Sequence, residues 1–182
     1  GFEYEWEARR FWDELRNRFA VFGLELHPEK TRLIEFGRHA AENRKRNGRG
    51  KPETFDFLGF THICGKTRNG RFVVLRRTMR KRIRAKLREI KDVLRRRWHD
   101  PVPEVGNWLA SIIRGHLNYY AVPLNFSAIE AFRHQVICLW RRALSRRSQK
   151  AHVTWERILR LARIWLPRAR IVHPWPEQRL AF

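Results

Sequence analysis

The stretch from Leu75 to Trp98 constrains the fold of this chain more than any other segment. Its apolar residues recur at spacings of three or four, a period that fits one face of an α-helix and no β-strand. These residues are Met79, Ile83, Leu87, Ile90, Leu94 and Trp98. The spacing predicts a long amphipathic helix over 75–98, with one face able to anchor a helical bundle.

The other faces of this predicted helix carry twelve basic residues against only two acidic ones, Glu89 and Asp92. The basic residues are Arg76, Arg77, Arg80, Lys81, Arg82, Arg84, Lys86, Arg88, Lys91, Arg95, Arg96 and Arg97. Like charges four residues apart on a helix repel by roughly 0.2–0.5 kcal/mol per pair, so the repulsion accumulates along this surface. A polyanion that neutralises the surface is the most economical explanation. A solvated face of a basic protein and a membrane-surface helix are the alternatives.

Charge and composition favour the polyanion. The 182 residues carry a net charge of +22 with a pI near 11.5, a field that attracts nucleic acid. Arginine exceeds lysine, and its planar fork suits phosphate contacts and base stacking. Because 43% of the residues are hydrophobic and 13% aromatic, the chain is too apolar for a disordered basic tail.

The sequence has no run of 18 apolar residues and no signal-peptide layout, which favours a cytoplasmic protein without a membrane partner. Cys64 and Cys138 have no ligand-like spacing and are predicted to be reduced core residues. The chain begins at Gly1 and its single methionine is Met79, so we expect a fragment of a longer protein.

The first half of the chain reads as a helix followed by short extended segments. A helix is predicted over Tyr4–Phe22, ended by Gly23. Two short strands, Leu24–Leu26 and Thr31–Phe36, are predicted on either side of a proline turn. The polar and basic stretch 37–53 is predicted to be a mobile loop that could become ordered on RNA.

A β-hairpin is predicted next, from Thr54–Ile63 and Arg71–Leu75, with Asn69-Gly70 at its bend. Gly59 within the first strand indicates either a close approach of another group to the backbone or a bulge.

Helical periodicity dominates the rest of the sequence. A stripe runs from Val105 to Tyr120, a capping-box pattern over 127–130 predicts the start of another helix, and Thr154 can cap a last one that stops at Pro167. The predicted fold is α+β. A small N-terminal helix and antiparallel strands (1–75) precede an all-α bundle (76–166) and an extended tail (167–182).

No catalytic constellation is visible in the sequence. It contains no Walker-type glycine loop, no His-Glu-x-x-His and no carboxylate pair spaced for two metal ions, so no metal site is predicted. Lys30 follows a proline turn that could position its ammonium, although a solvated turn lysine fits equally well. The run 57–60 could consist simply of core aromatic residues. Judged from its residues, the chain is a binding protein.

Several motifs nevertheless follow one another in a specific order, with the basic helix between the second and the third. They are His27-Pro28-Glu29-Lys30-Thr31, Phe57-Leu58-Gly59-Phe60, Arg114-Gly115-x-x-x-Tyr119-Tyr120, Arg146-Arg147-Ser148-Gln149-Lys150 with Thr154-Trp155, and His173-Pro174-Trp175-Pro176. This order resembles the C-terminal half of bacterial group II intron-encoded reverse transcriptase–maturases, over nearly the whole chain.

The resemblance implies a role for each region. Residues 1–75 would form the distal palm of the polymerase, with Lys30 as the family's lysine that assists the pyrophosphate leaving group. Phe57, Leu58, Gly59 and Phe60 would form the primer grip. Residues 76–166 would form the thumb, or maturase X domain. Its RNA-binding residues are predicted to be Arg76, Arg77, Arg80, Lys81, Arg84, Lys86, Arg88, Arg141, Arg142, Arg146, Arg147 and Lys150.

The implied partners are group II intron RNA and an RNA template–DNA primer duplex, in the splicing and retrohoming of a mobile genetic element. The family's catalytic Tyr-x-Asp-Asp and its fingers are missing from this sequence. Because those aspartates hold Mg²⁺, the ion is expected only in an intact parent polymerase, and this chain alone is predicted to be inactive. Two rivals remain. The chain could serve as the thumb of an enzyme whose upstream fingers and palm come from the same gene, or it could be a generic basic nucleic-acid-binding module.

Overall fold

The computed structural model describes residues 1–147, 152–175 and 178. Within that part of the chain, six helices and a three-stranded antiparallel sheet confirm the α+β class. The elements are α1 (Glu5–Val21), α2 (Ala40–Arg46), β1 (Phe55–Phe57), β2 (Phe60–Lys66), β3 (Phe72–Thr78), α3 (Arg80–Arg96), α4 (Val102–Tyr120), α5 (Phe126–Ser145) and α6 (Trp155–Trp165). They fall into two compact units, residues 1–53 and residues from 54 onwards.

The first unit begins with α1, which confirms the predicted helix to within one residue at each end. Gly23 ends it as predicted. The Gly23 N–H donates to the carbonyl of Ala20 and the Leu24 N–H to that of Phe19, the pair of bonds that defines a Schellman cap. Of the residues of this helix, only Ala8 is buried.

The two short strands predicted around the proline turn are wrong. Residues 24–26 and 31–36 adopt no regular structure. The turn between them closes through a hydrogen bond of 2.9 Å from the Thr31 N–H to the His27 carbonyl. This i→i+4 bond winds the chain as one turn of a helix does, so the flanking segments are not set side by side as a hairpin turn would set them.

The predicted loop over 37–53 also needs correction, because α2 occupies its centre. Alanine, glutamate, lysine and arginine favour helices, and Ala40 is buried. The Arg44 guanidinium donates to the carbonyl of Arg49 at 2.9 Å and pairs with the Glu53 carboxylate at 3.3 Å. These contacts join α2 to the residues that follow it.

The second unit begins with the antiparallel sheet β1-β2-β3. Its β2–β3 hairpin is the predicted one, with Asn69-Gly70 at the bend and a 2.8 Å bond from the Thr67 N–H to the Arg71 carbonyl. A second hairpin divides the predicted first strand into β1 and β2, with Phe57 opposite Phe60. Gly59 therefore lies in a turn rather than within a strand.

The predicted start of the basic helix is wrong by five residues. Helix α3 begins at Arg80, and residues 75–78 continue β3, which pairs with β2 as far as Thr78 opposite Phe60. The helical spacing of apolar residues begins only at Met79, whereas the preceding run Phe72–Leu75 suits a strand. A domain boundary after residue 75 would cut β3. The sheet and the helices that follow it belong to one compact unit.

Helices α3 to α6 enclose the core that the sequence predicted for a bundle. Buried core residues of α4 and α5 recur at helical spacing and meet others from α3 and α6. They include Ile90 and Leu94 of α3; Val105, Leu109, Ile113 and Leu117 of α4; Phe132, Val136 and Trp140 of α5; and Ile158 and Ala162 of α6. The predicted cap of α6 is confirmed, since Thr154 Oγ1 accepts from the Arg157 N–H at 3.3 Å.

The capping box predicted at Ser127 and Glu130 is wrong, because α5 begins two residues earlier than that box requires and Asn125 is its N-cap. The carbonyl of Asn125 accepts from the Ala128 and Ile129 N–H groups. The Ser127 hydroxyl is used elsewhere and accepts from the Arg77 guanidinium of β3.

The described part of the tail packs on the end of α4. The Val172 and His173 N–H groups donate to the Ala121 carbonyl at 3.0 and 3.1 Å, and His173 Nε2 lies 2.6 Å from the carbonyl of Asn118. Residues 176, 177 and 179–182 of the predicted tail lie outside the described residues.

Helices α4 and α6 meet closely at Gly106. We expect alanine substitutions at Gly106 and at Gly115, both in α4, to change the free energy of unfolding in opposite directions. A Cβ added at Gly106 would lie 2.7 Å from Cγ of Trp165, whereas one added at Gly115 meets no atom of the described structure within 4 Å. We expect Gly106→Ala to lower the free energy of unfolding by about 1–3 kcal/mol through overpacking. Gly115→Ala should raise it by up to about 1 kcal/mol through helix propensity.

Urea denaturation of both variants beside the parent protein measures the two shifts. Equal shifts of the same sign would contradict the close packing of Trp165 on Gly106.

Candidate nucleic-acid interface

The candidate interface is the exposed face of α3. Because Ile90 and Leu94 are buried in the core and α3 packs mainly on α5, the faces of α3 beside and away from these two residues are left to solvent. The exposed basic side chains include five that recur at three- or four-residue spacing, namely Arg80, Arg84, Arg88, Lys91 and Arg95. We call these five residues the α3 basic strip. At 1.5 Å per residue it extends over about 22 Å, long enough to pass several phosphates of a nucleic-acid backbone.

The strip has little local charge compensation. Lys81 is also exposed on α3, whereas Lys86 is half-buried and pairs with Glu89 at 2.8 Å. Asp92 lies 3.7 Å from the Arg95 guanidinium, and both side chains are more than half exposed, so solvent screens this pair. The field of the strip therefore remains positive.

Two of the predicted RNA-binding arginines lie on the sheet instead of the helix. Arg76 and Arg77 belong to the half-buried part of β3, where Arg76 faces His62 across the ladder. Arg77 reaches the start of α5 through its bond to Ser127. Arg77 thus joins sheet to bundle.

The basic cluster near the end of α5 divides into two kinds of residue. Arg142 and Arg146 are exposed. The Arg141 guanidinium lies 4.5 Å from the ring centre of Trp155 and donates to the carbonyl of Val153, and Arg147 donates to that of Asp100 at 2.8 Å. Arg141 and Arg147 therefore hold the bundle together. Lys150 and its neighbours Ser148 and Gln149 lie outside the described residues.

The tip of the β1–β2 hairpin is formed by Leu58 and Gly59, with φ values of +46° and +80°. Positive φ at both turn positions is typical of the type I′ turn, which joins strands in tight hairpins. The carbonyl of Leu58 accepts from the Tyr119 hydroxyl at 2.9 Å, and the carbonyl of Gly59 accepts from the Met79 N–H at 3.0 Å. The tip is thus bonded to the end of α4 and the start of α3.

Gly59 is required here for a second reason, since an added Cβ would lie 2.9 Å from Oη of Tyr120. The close approach predicted at this glycine is confirmed. Phe60 is buried beside the ring of Tyr120, with centroids 5.2 Å apart, while Phe57 and Leu58 are 59% and 66% exposed. Core packing therefore accounts for Phe60 of the predicted primer-grip motif but not for the exposed Phe57 and Leu58.

Asn125 is the residue that the sequence reasoning missed. Its side chain is fully buried and makes three hydrogen bonds, accepting from the Thr78 N–H at 3.2 Å and donating to Thr78 Oγ1 at 2.8 Å and to the Tyr120 carbonyl at 2.9 Å. It joins the end of β3 to the α4–α5 connection and so fixes where α3 starts. Asparagine before a helix suggests an N-cap, but nothing in the sequence indicates the bond to a residue 47 positions away.

The strongly shifted pKa of one histidine is explained by its place in the core. Burial lowers the pKa of His116 to about 4, and its ring stacks on Phe132 at 3.8 Å, so His116 is an uncharged packing residue at neutral pH. Lys30 is exposed at the end of the proline turn. The two cysteines are free thiols and half-buried. Over residues 1–147 and 152–175, no three His, Cys, Asp or Glu side chains are grouped to hold a metal ion.

Comparison of the chain with protein-family models, with curated proteins and with solved structures finds no match in any of the three. The resemblance to group II intron proteins rests on the sequence motifs. In the described part of the chain, no helix has the length and apolar character needed to cross a bilayer.

Proposed function

We propose that this chain binds structured RNA as the thumb, or maturase, part of a group II intron reverse transcriptase. The observation that carries the proposal is the α3 basic strip, which is solvent-exposed while an adjacent face of the same helix is anchored in the core. A helix held in this way keeps the backbone positions of these cations at fixed spacing, so the backbone does not have to become ordered when phosphate binds.

A second observation supports the family assignment. Two motifs of the resemblance, 57–60 and 114–120, are about 60 residues apart in the sequence and touch in the structure, through the bond between Tyr119 and Leu58. In the proposed role, the exposed Phe57 and Leu58 would support the primer strand, and the strip would follow the phosphates of the duplex or the intron. Recognition would depend on backbone shape, with base contacts confined to unpaired nucleotides.

The proposal includes limits on chemistry and location. Polymerisation would need the aspartates and Mg²⁺ of an upstream part of the same gene product, so primer extension should appear only when that part is added. A cytoplasmic location in a bacterium is part of the same proposal.

The salt dependence of RNA binding tests the proposal. If about six phosphates are neutralised, the logarithm of the association constant should fall with the logarithm of the salt concentration at a slope of roughly −4 to −5. Filter binding of intron RNA at several salt concentrations measures it, and a slope near zero would contradict the proposal.

Competition against duplex DNA of equal length separates this role from that of a generic basic module. The maturase role requires the chain to bind intron RNA more tightly than the duplex DNA. Equal competition would favour the generic module.

A further inference from the structure

A cavity of about 230 Å³ lies between α3 and α5, at the end of the α3 basic strip. Part of its lining is apolar and comes from Leu94, Trp98, Leu139 and Ala143. Leu94 is buried in the core, and Trp98, just past the end of α3, is 39% exposed. The cavity therefore offers an aromatic ring and an apolar floor to a ligand that enters from solvent.

Four cations surround this floor. Lys91 and Arg95 come from α3, Arg142 comes from α5, and Arg146 is the C-cap residue of α5, so the two members of each pair are four residues apart. Among the described residues that line the cavity, none is acidic. Like charges at this spacing repel within each helix, so an anion placed between the helices would relieve both pairs.

The size and the mixed lining restrict the occupant. At about 230 Å³ the cavity is smaller than the roughly 300–1,000 Å³ of clefts that enclose a drug-sized ligand, so it suits a single small ring system. A simple anion would use the cations and leave the apolar floor empty, whereas an aliphatic group would leave the cations unpaired. A nucleotide satisfies both, because it joins a flat apolar face to a phosphate.

The position of the cavity indicates where that nucleotide comes from. Lys91 and Arg95 belong both to the α3 basic strip and to the cavity rim, so a strand that follows the strip arrives at the opening. Free nucleotides would reach the cavity without using the strip, whereas a bound RNA strand would use both.

We infer that this cavity takes one unpaired base of a bound RNA strand. The base lies against Trp98 and the apolar floor, and the flanking phosphates contact Arg142 and Arg146. This inference rests on the proposed RNA-binding function and adds a preference for RNA with an unpaired nucleotide. Stacking of a base on an aromatic side chain corresponds to about 5- to 150-fold in affinity.

The test uses two RNA duplexes that differ only in one unpaired purine. The full chain should bind the bulged duplex about tenfold more tightly than the continuous one. Ala143→Leu fills the cavity and keeps all four cations, so it should abolish this preference and leave the affinity for the continuous duplex unchanged. Ala131→Leu makes the same change at an exposed position of α5 and should keep the preference.

A fluorescent base locates the nucleotide directly. With 2-aminopurine as the unpaired base, the parent protein should quench its emission, and Trp98→Leu should remove most of that quenching while duplex binding persists. If Ala143→Leu fails to fold, Trp98→Leu tests the inference in its place. Trp98 lies beyond the end of α3, so its replacement does not alter the helix itself.

The outcomes separate the two proposals. Absence of all RNA binding would overturn the proposed function, whereas duplex binding without bulge preference would overturn only the cavity. If folded Ala143→Leu still prefers the bulged duplex, the inference about the cavity is also wrong. Titrations with adenosine monophosphate and with anionic phospholipid vesicles are added as competitors. If either displaces the bulged RNA from the parent at micromolar concentration but not from Ala143→Leu, the occupant is a free nucleotide or a lipid, and the inference is wrong.

Discussion

Asn125→Ala is expected to lower the free energy of unfolding by about 2–4 kcal/mol, because its buried side chain makes three hydrogen bonds. The substitution removes the acceptor of the Thr78 N–H and the amide donor to the Thr78 hydroxyl, and it leaves the Tyr120 carbonyl with the Val122 N–H as its remaining donor. Asn125 is fully buried and Thr78 is 5% exposed, so water does not readily replace the lost bonds. An unpaired buried polar group costs about 1–3 kcal/mol, and at least one donor and one acceptor are affected.

Urea denaturation measures this loss, and Asn118→Ala supplies the matched control. Asn118 is an exposed asparagine of α4, and only its backbone carbonyl makes a described contact, to His173. Its replacement by alanine should change the stability by less than about 0.5 kcal/mol. If Asn125→Ala costs no more than Asn118→Ala, the buried network does not hold β3 to the bundle.

Arg80→Glu combined with Arg84→Glu is expected to weaken RNA binding by roughly 10- to 100-fold at moderate salt and to make the salt slope shallower by about 1–2. Both side chains are exposed in the first half of α3, so their reversal places two negative charges on the α3 basic strip. The thermal midpoint should stay nearly constant or rise slightly. The first turn of α3 contains no acidic residue, and acids there interact favourably with the helix dipole.

Arg157→Glu combined with Arg160→Glu changes the net charge equally and serves as the control. Both arginines are exposed on α6, which packs on α4 and α5, and the Arg160–Glu156 pair that is lost is an exposed one of little weight. RNA affinity should fall much less than in the α3 variant. Equal losses in the two variants would mean that net charge alone attracts RNA, and a large drop in the midpoint of the α3 variant would make Arg80 and Arg84 structural residues.

Helical periodicity predicted most of the second unit correctly. The stripes of α4 and α5, the Thr154 cap and the stop of α6 before Pro167 follow from spacing, because a helix buries the residues that recur every three or four positions. Spacing also predicted the β2–β3 hairpin through Asn69-Gly70. These are local properties of the chain, so a local pattern was enough.

Junctions between elements were predicted less well. The basic helix was extended back into β3 because Arg76 and Arg77 are compatible with either structure. The bonds of Thr78 to Asn125 and of Met79 to Gly59, which end the strand, involve residues distant in sequence. The hairpin tip at Leu58-Gly59 differs from the predicted continuous strand for the same reason, since its partner Tyr119 lies 61 residues further on.

The sequence by itself determined the positive field of this protein and the apolar stripes of its bundle helices, because charge and periodicity belong to neighbouring residues. Only the tertiary structure decided which cations remain available to a ligand. Arg141 and Arg147 are engaged by Trp155 and by the Asp100 carbonyl, whereas Arg142 and Arg146 open onto a cavity beside α3. Adjacent residues of one helix point in different directions, and what each side chain meets depends on elements that the chain brings there from far away.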